Sequence, residues 1–363
     1  MDNTTKHSTA VVKTACAIVF LLFTFFYLYY FQADILAMAQ HVLSHGKTHY
    51  NRTVGAVLIT LVLYLLQMGV YALTKLEWRA HALTYFPSLL VLTFLTSPGN
   101  HFFQDASLGA WLWAGPLVVL LYCGVVWVFR QLEDIISESG GTGVFSRLMW
   151  VNMLIMVVMF FMVAAFSNHD EAFHYRLNIE SRLLDNDLDG ALAVGKDTEV
   201  SNEAITRLRA YALSKKGQLG EHLFEYNVSG GSAAIIPPKG DTSSVAASVM
   251  IPQQELRKQY LRNKKDYELC GFLADKQIDK FAQALIKYYP LNDSVHLPKH
   301  YREALTLYTR QRSHRVVDYR NSVMETDFAD LLKLERENTD KRARKNAVHD
   351  NFRNTYWYHY LYR

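Results

Sequence analysis

Leu148–Ser167 reads LMWVNMLIMVVMFFMVAAFS, and this stretch decides the fold. Asn152 is its one strongly polar side chain before Ser167. A helix of about twenty residues rises roughly 30 Å, enough to cross the hydrocarbon core of a bilayer. Four more apolar stretches lie upstream, whereas residues 168–363 are polar, charged and helix-patterned. The mean hydropathy of −0.02 therefore averages two unlike halves. The expectation is an all-α protein: an N-terminal bundle of about five transmembrane helices over residues 1–167, then a soluble helical domain over 168–363.

The expected spans are 11–31, 54–73, 82–96, 108–129 and 148–167. The first ends in Phe25, Phe26, Tyr27, Tyr29, Tyr30 and Phe31, an aromatic interface belt, and no small-residue cleavage site follows it. Residues 32–45 place Ile35, Leu36, Ala39, Val42 and Leu43 at helical spacing, with Asp34, Met38, His41 and His45 opposite. That pattern predicts an amphipathic helix lying at the membrane surface and stopped by Gly46. The third span is short and carries Pro87; Ser97-Pro98-Gly99-Asn100 reads as the turn after it.

Orientation follows the lysines and arginines of the short loops. Lys6, Lys13, Lys75, Arg79, Arg130 and Arg147 fall on one side of a five-span bundle; Lys47 and Arg52 fall on the other. The richer side is cytoplasmic by this rule. The N-terminus is then cytoplasmic and the soluble domain extracytoplasmic, in the periplasm if the cell is Gram-negative.

The soluble half repeats one pattern: helix, polar turn, helix. It occurs at Ser181–Gly195, again at Ala210–Phe224, and again at Tyr267–Ala282. Hairpins at such spacing resemble tetratricopeptide repeats, and a stack of them leaves a groove suited to a peptide or helix. Residues 229–248, rich in Gly, Pro and Ser, are expected to interrupt the stack as a mobile loop. The terminal Tyr356-Trp357-Tyr358-His359-Tyr360-Leu361-Tyr362 is too aromatic to hang in water and is expected to pack on the domain.

Composition excludes several functions. The formal net charge is +4 and there is no run of six basic residues, so nucleic acid is not implied as a partner. Three dispersed cysteines make no disulfide framework. Gly140-Gly141-Thr142-Gly143 lacks the Lys-Ser/Thr of a nucleotide loop. No charge sits mid-span, which argues against ion-coupled transport. Asn152 reads as a helix–helix hydrogen bond.

The candidate chemistry lies at the outer face. His41 and His45 would stand one helical turn apart, a workable metal-ligand spacing, with His49 and His101 nearby in the topology. No HExxH or Cys–His cluster accompanies them, so no metal or other cofactor is expected. A second reading follows from Asp34, Ala39, Val42, Leu43 and Gly46. They resemble the first outer loop of membrane glycosyltransferases that use lipid-linked sugars. In that resemblance Asp34, with His41 and His45, would serve a lipid-linked substrate as base or metal ligand; aligned on Ala39–Gly46, however, Phe31 or Gln32 stands where the family has its acid.

Tyr30–Asp34, Ala39–Tyr50, His81–Pro87 and Thr355–Tyr362 are together similar to an uncharacterised Bacteroidota family of multi-pass membrane proteins. The resemblance implies an inner-membrane protein with a helical-repeat C-terminal region, and it implies no activity. The reading that results is a non-enzymatic, membrane-anchored module whose repeats bind a protein partner, with membrane lipid around its spans. The alternative is an envelope enzyme acting on a lipid-linked substrate.

Overall fold

A computed structural model of the chain describes residues 3–76, 80–97, 111–133, 146–237, 248–289 and 296–363. Every regular element among the described residues is helical. The chain divides into two compact units, Met1–Asp170 and Glu171–Arg363.

The first unit opens with α1 (Asn3–Phe26), which widens into a π-helical turn at Tyr27–Phe31. There follow α2 (Ala33–Leu43), α3 (Arg52–Thr74), a 3-10 turn (His81–Tyr85) running into α4 (Phe86–Thr96), α5 (Trp111–Glu133) and α6 (Arg147–Phe166). Among the described residues, four stretches are long and apolar enough to cross a membrane: Ala10–Phe31, Arg52–Thr74, Leu112–Gln131 and Arg147–Phe166.

The stretch expected as a third span differs. Pro87 takes the first helical turn, where its missing N–H has no partner to lose, so α4 starts there and not at residue 82. A five-residue 3-10 turn precedes it. Turn and helix together rise roughly 26 Å, at about 2.0 and 1.5 Å per residue.

The packing shows which way each helix runs. Lys13 donates to the Tyr71 hydroxyl and its ammonium lies 4.4 Å from that ring; Arg52 meets Asp34 at 3.7 Å. So α1 and α3 are antiparallel. Gln67 donates to Thr84 at 2.9 Å and Ser88 to the Leu63 carbonyl at 2.7 Å, so 81–96 runs back against α3. The Asn152 side chain accepts from the Ala82 amide at 2.9 Å, and the Asn168 amide donates to the Thr96 carbonyl at 3.1 Å. The segment 81–96 therefore lies parallel to α6 over nearly its whole length. Asn152, fully buried, makes the expected interhelical bond.

The second unit begins with α7 (Glu171–Leu184), α8 (Leu188–Ala193), α9 (Glu203–Lys215) and α10 (Leu219–His222), with a 3-10 turn at Leu223–Glu225. It continues through α11 (Gly231–Ile235), α12 (Gln253–Arg262), α13 (Lys264–Ala274) and α14 (Ile278–Tyr288). Then come α15 (Lys299–Gln311), α16 (Ser322–Glu337), α17 (Lys341–Phe352) and α18 (Tyr356–Tyr362).

Three hairpins share one turn. Asn186, Gly217 and Lys276 have φ of 57°, 69° and 59°. In each, the next amide reaches back to a carbonyl five residues earlier: Asp187 to Arg182, Gln218 to Leu213 and Gln277 to Phe272, at 2.8–2.9 Å. This is a left-handed helix stop that caps the outgoing carbonyls and reverses the chain. The returning helices are unequal, with 6, 4 and 11 residues, so the hairpins share a turn but not a length.

Helix α9 is the axis of this unit, buried from Ala204 to Ser214 without a break. Its two buried arginines feed carbonyls: Arg207 donates to Ala233 and Ala234 at 3.2 Å, and Arg209 to Val194 and Gly195 at 3.0 Å. The stretch expected as a mobile loop over 229–248 contains α11, whose Ala234 and Ile235 are buried because the helix packs against α9 and α13. Residues 238–247 of it lie outside the described residues. The chain re-enters on Glu180, a fully buried carboxylate that accepts from Arg176 at 3.0 Å and from the Met250 amide at 2.7 Å.

Gly217 has no heavy atom within 4 Å of an added Cβ, so only its positive φ opposes a side chain. Gly217→Ala should cost about 1 kcal/mol in chemical denaturation. Lys276→Gly should gain less than that, because glycine also loosens the unfolded chain. A stabilising Gly217→Ala would show that this turn is not left-handed in solution.

Candidate functional site

Among the described residues, those singled out at the expected outer face are not brought together as a metal site. Asp34 sits in the first turn of α2, half-buried, 3.7 Å from Arg52, whose guanidinium lies 5.9 Å from the Tyr29 ring. Helix α2 ends at Leu43, so His45 leaves the helix in the left-handed region with φ 50°. The one-turn spacing expected of His41 and His45 is thereby lost. His41 lies against the backbone of Gly46, where an added Cβ would come 3.2 Å from its ring, while His45 and His49 are exposed. Among the described residues no group of three His, Cys, Asp or Glu is placed to hold a metal ion. His101, the turn at 98–100 and the glycine run at 140–143 lie outside the described residues. The amphipathic division expected of residues 32–45 also shifts: Met38 is fully buried and Leu43 is exposed.

The same end of the bundle holds a knot of hydroxyls that the sequence reading missed. Tyr27 donates to Ser167 at 2.5 Å, Gln32 to the Tyr27 oxygen at 3.1 Å, and Thr96 and Ser167 share a bond of 2.9 Å. Tyr27 opens the π-helical turn, so these bonds tie that turn to the ends of α4 and α6.

In the second unit the first two hairpins enclose a cleft of about 260 Å³. Leu192, Leu213 and Tyr226 line it among charged side chains. Glu225 faces His222 at 2.9 Å, Lys196 at 3.4 Å and Lys299 at 3.8 Å, and Lys216 pairs with Asp189. Burial pushes the Glu225 carboxyl up, but the His222 hydrogen bond and the charges of His222, Lys299 and Lys196 outweigh it and hold the group below its ordinary range. Behind the cleft, the Arg209 guanidinium stacks 4.9 Å from the Tyr226 ring. Burial lowers Arg209 to about 10, so it stays charged at neutral pH.

The chain's own α18 packs along α15. The Tyr356 amide donates to Glu303 Oε2 at 2.7 Å, and Trp357 Nε1 donates to the Glu303 carbonyl at 2.7 Å. Glu303 also accepts from His300 Nδ1 at 2.9 Å, and His300 Nε2 accepts from the Phe224 amide at 3.3 Å. That pair of bonds fixes the neutral Nδ1–H tautomer of His300. Tyr356 donates to the Leu273 carbonyl at 3.2 Å, and Arg363 to the Tyr226 carbonyl at 2.7 Å. Tyr356, Trp357 and Tyr358 are buried, as the aromatic run led one to expect. The sequence offered no comparable sign of His300 or Glu303, an i,i+3 pair on a helix whose partners lie far along the chain.

Residues 257–363 match a family of unknown function (DUF6057). No curated protein and no solved structure matches the chain. The matched segment runs from within α12 through α18, so it contains Glu303, His300 and Tyr356 and none of the residues lining the cleft.

His359 gives this region a pH dependence. Its ring is buried beside Phe224 at 4.8 Å. Burial lowers it to about 4; the Ala274 carbonyl opposes the shift, and Lys276 and Arg363 add to it. An unfolded histidine titrates near 6.5. Between about 6.5 and 4 the unfolded chain binds more protons, so stability falls as the pH drops through that window. Denaturation midpoints should show a loss of about 2 kcal/mol between pH 7 and pH 5, of which His359→Leu removes most. Equal pH slopes in the two proteins would contradict this account of His359.

Proposed function

We propose that the chain is a membrane-anchored helical-repeat module that binds a protein partner in the cell envelope, without catalysis. The hairpins of the second unit are tetratricopeptide-like in this reading, and the first unit is a five-crossing anchor. The segment 81–96 is the extra crossing: its rise of roughly 26 Å approaches the ~30 Å of a bilayer core. It also runs beside α6 from the level of Asn152 to that of Ser167. With five crossings the N-terminus is cytoplasmic and the second unit periplasmic, in an inner membrane. The excess of lysine and arginine at the Lys13 side of the bundle supports this orientation.

The cleft between the first two hairpins carries the proposal. It is concave and combines an apolar floor with Lys196, Lys216, His222, Asp189 and Glu225, a composition suited to a peptide segment with charged side chains. Helix α18 packs on α15, and in this reading the partner docks in the cleft instead.

A photoreactive amino acid at position 193, on the cleft wall of the full-length protein, should crosslink in cells to a protein at near-stoichiometric yield. Lys196→Glu with Lys216→Glu should reduce that capture at least tenfold. Crosslinks to lipid alone, or capture indifferent to the charge reversal, would overturn the reading.

A further inference from the structure

A charge without a counter-ion stands behind the cleft of the first two hairpins. From it we infer that the segment the cleft takes is acidic: a stretch of the partner's chain that sets an aspartate or glutamate against Lys196 and Lys216. The inference rests on the docking reading above and names the partner's chemistry. The lining by itself is balanced, with Lys196 and Lys216 against Asp189 and Glu225, and His222 beside them. Asp197 and Glu199, on the loop that follows Lys196, are matched by Arg353 and Arg363. Arg209 tips the balance.

Arg209 is 1 % exposed and lies one helical turn before Leu213, which lines the cleft. Its Nη2 feeds the Val194 and Gly195 carbonyls, which follow directly on Ala193 of the lining. Its Nε and Nη1 have no hydrogen-bond partner, and among the described residues no carboxylate pairs with it. The Tyr226 ring, also part of the lining, lies 4.9 Å from the guanidinium and 5.7 Å from the Lys196 ammonium. Two cations thus share one ring at the cleft wall. A buried charge without a counter-ion is little screened by salt, and its field reaches the concave wall beside it. A carboxylate seated in the cleft offsets that charge without touching Arg209.

The two carboxylates of the lining differ in how firmly they are held. The Glu225 side chain is 14 % exposed and faces His222, Lys196 and Lys299. The Asp189 side chain is 85 % exposed and pairs with Lys216. An exposed pair holds weakly, so a carboxylate brought by the partner can take Lys216 from Asp189. Apolar neighbours of that carboxylate would rest on Leu192 and Leu213. A basic segment meets the reverse. Asp189 is the one lining carboxylate open to it, and both lysines and the field of Arg209 oppose its approach.

The test uses the full-length protein in cells with the photoreactive residue at position 193. Lys216→Gln should lower protein capture about threefold and Asp189→Asn should raise it by a similar factor, the scale of one exposed ion pair. Neither side chain belongs to the core, so both variants should fold. Peptide mapping of the adduct should find an aspartate or glutamate beside the crosslinked residue of the partner. A change of the opposite sign in either variant, no change in both, or an adduct segment free of acidic residues would overturn the acidic segment and leave docking in the cleft standing. No protein adduct in the otherwise unaltered chain would defeat the docking reading and this inference together.

Discussion

The second unit depends on one buried carboxylate. Glu303 is 1 % exposed, and a carboxylate at such a place is tolerable where it is hydrogen-bonded. His300 and the Tyr356 amide both donate to its Oε2, and His300 in turn receives the Phe224 amide. One residue thus joins α15, the 3-10 turn after α10, and the start of α18. Its backbone carbonyl adds Trp357. Removing the side chain would leave two buried donors without acceptors, a loss of about 1–3 kcal/mol each. The terminal helix has seven residues and could not persist in water by propensity alone. It is helical because it is held.

That attachment reaches the cleft: with α18 packed on α15, Arg363 donates to the Tyr226 carbonyl behind it. Asp197 and Glu199, on the loop between α8 and α9, meet Arg353 and Arg363. The first hairpins and the last helices are therefore linked around the cleft. A partner would meet a preorganised wall, which lowers the entropy cost of docking.

Long apolar runs were legible in the sequence because twenty residues without charge have few other fates, and four of them are helices of the expected kind. The hairpin turns were legible because Asn186, Gly217 and Lys276 stand in short polar breaks between periodic segments. Residues 81–96 were harder: Pro87 looked like an interruption, and only packing against α3 and α6 shows that it begins a helix. The histidine spacing misled because a period of four means one turn only while the helix lasts, and α2 stops at Leu43. Glu303 and the Tyr27–Ser167 knot were invisible for a common reason. Their partners lie tens of residues away or more, and local pattern carries no information about such pairs.

Hydrogen–deuterium exchange on the full-length protein tests the central claim that Glu303 holds α18 as the closing element of the second unit. The account predicts that the Tyr356 and Phe224 amides exchange only with global opening of that unit, and that Glu303→Ala releases both together while α12 keeps its protection. Rapid exchange over 356–362 in the unaltered protein would contradict it, as would release of Tyr356 in the variant without Phe224.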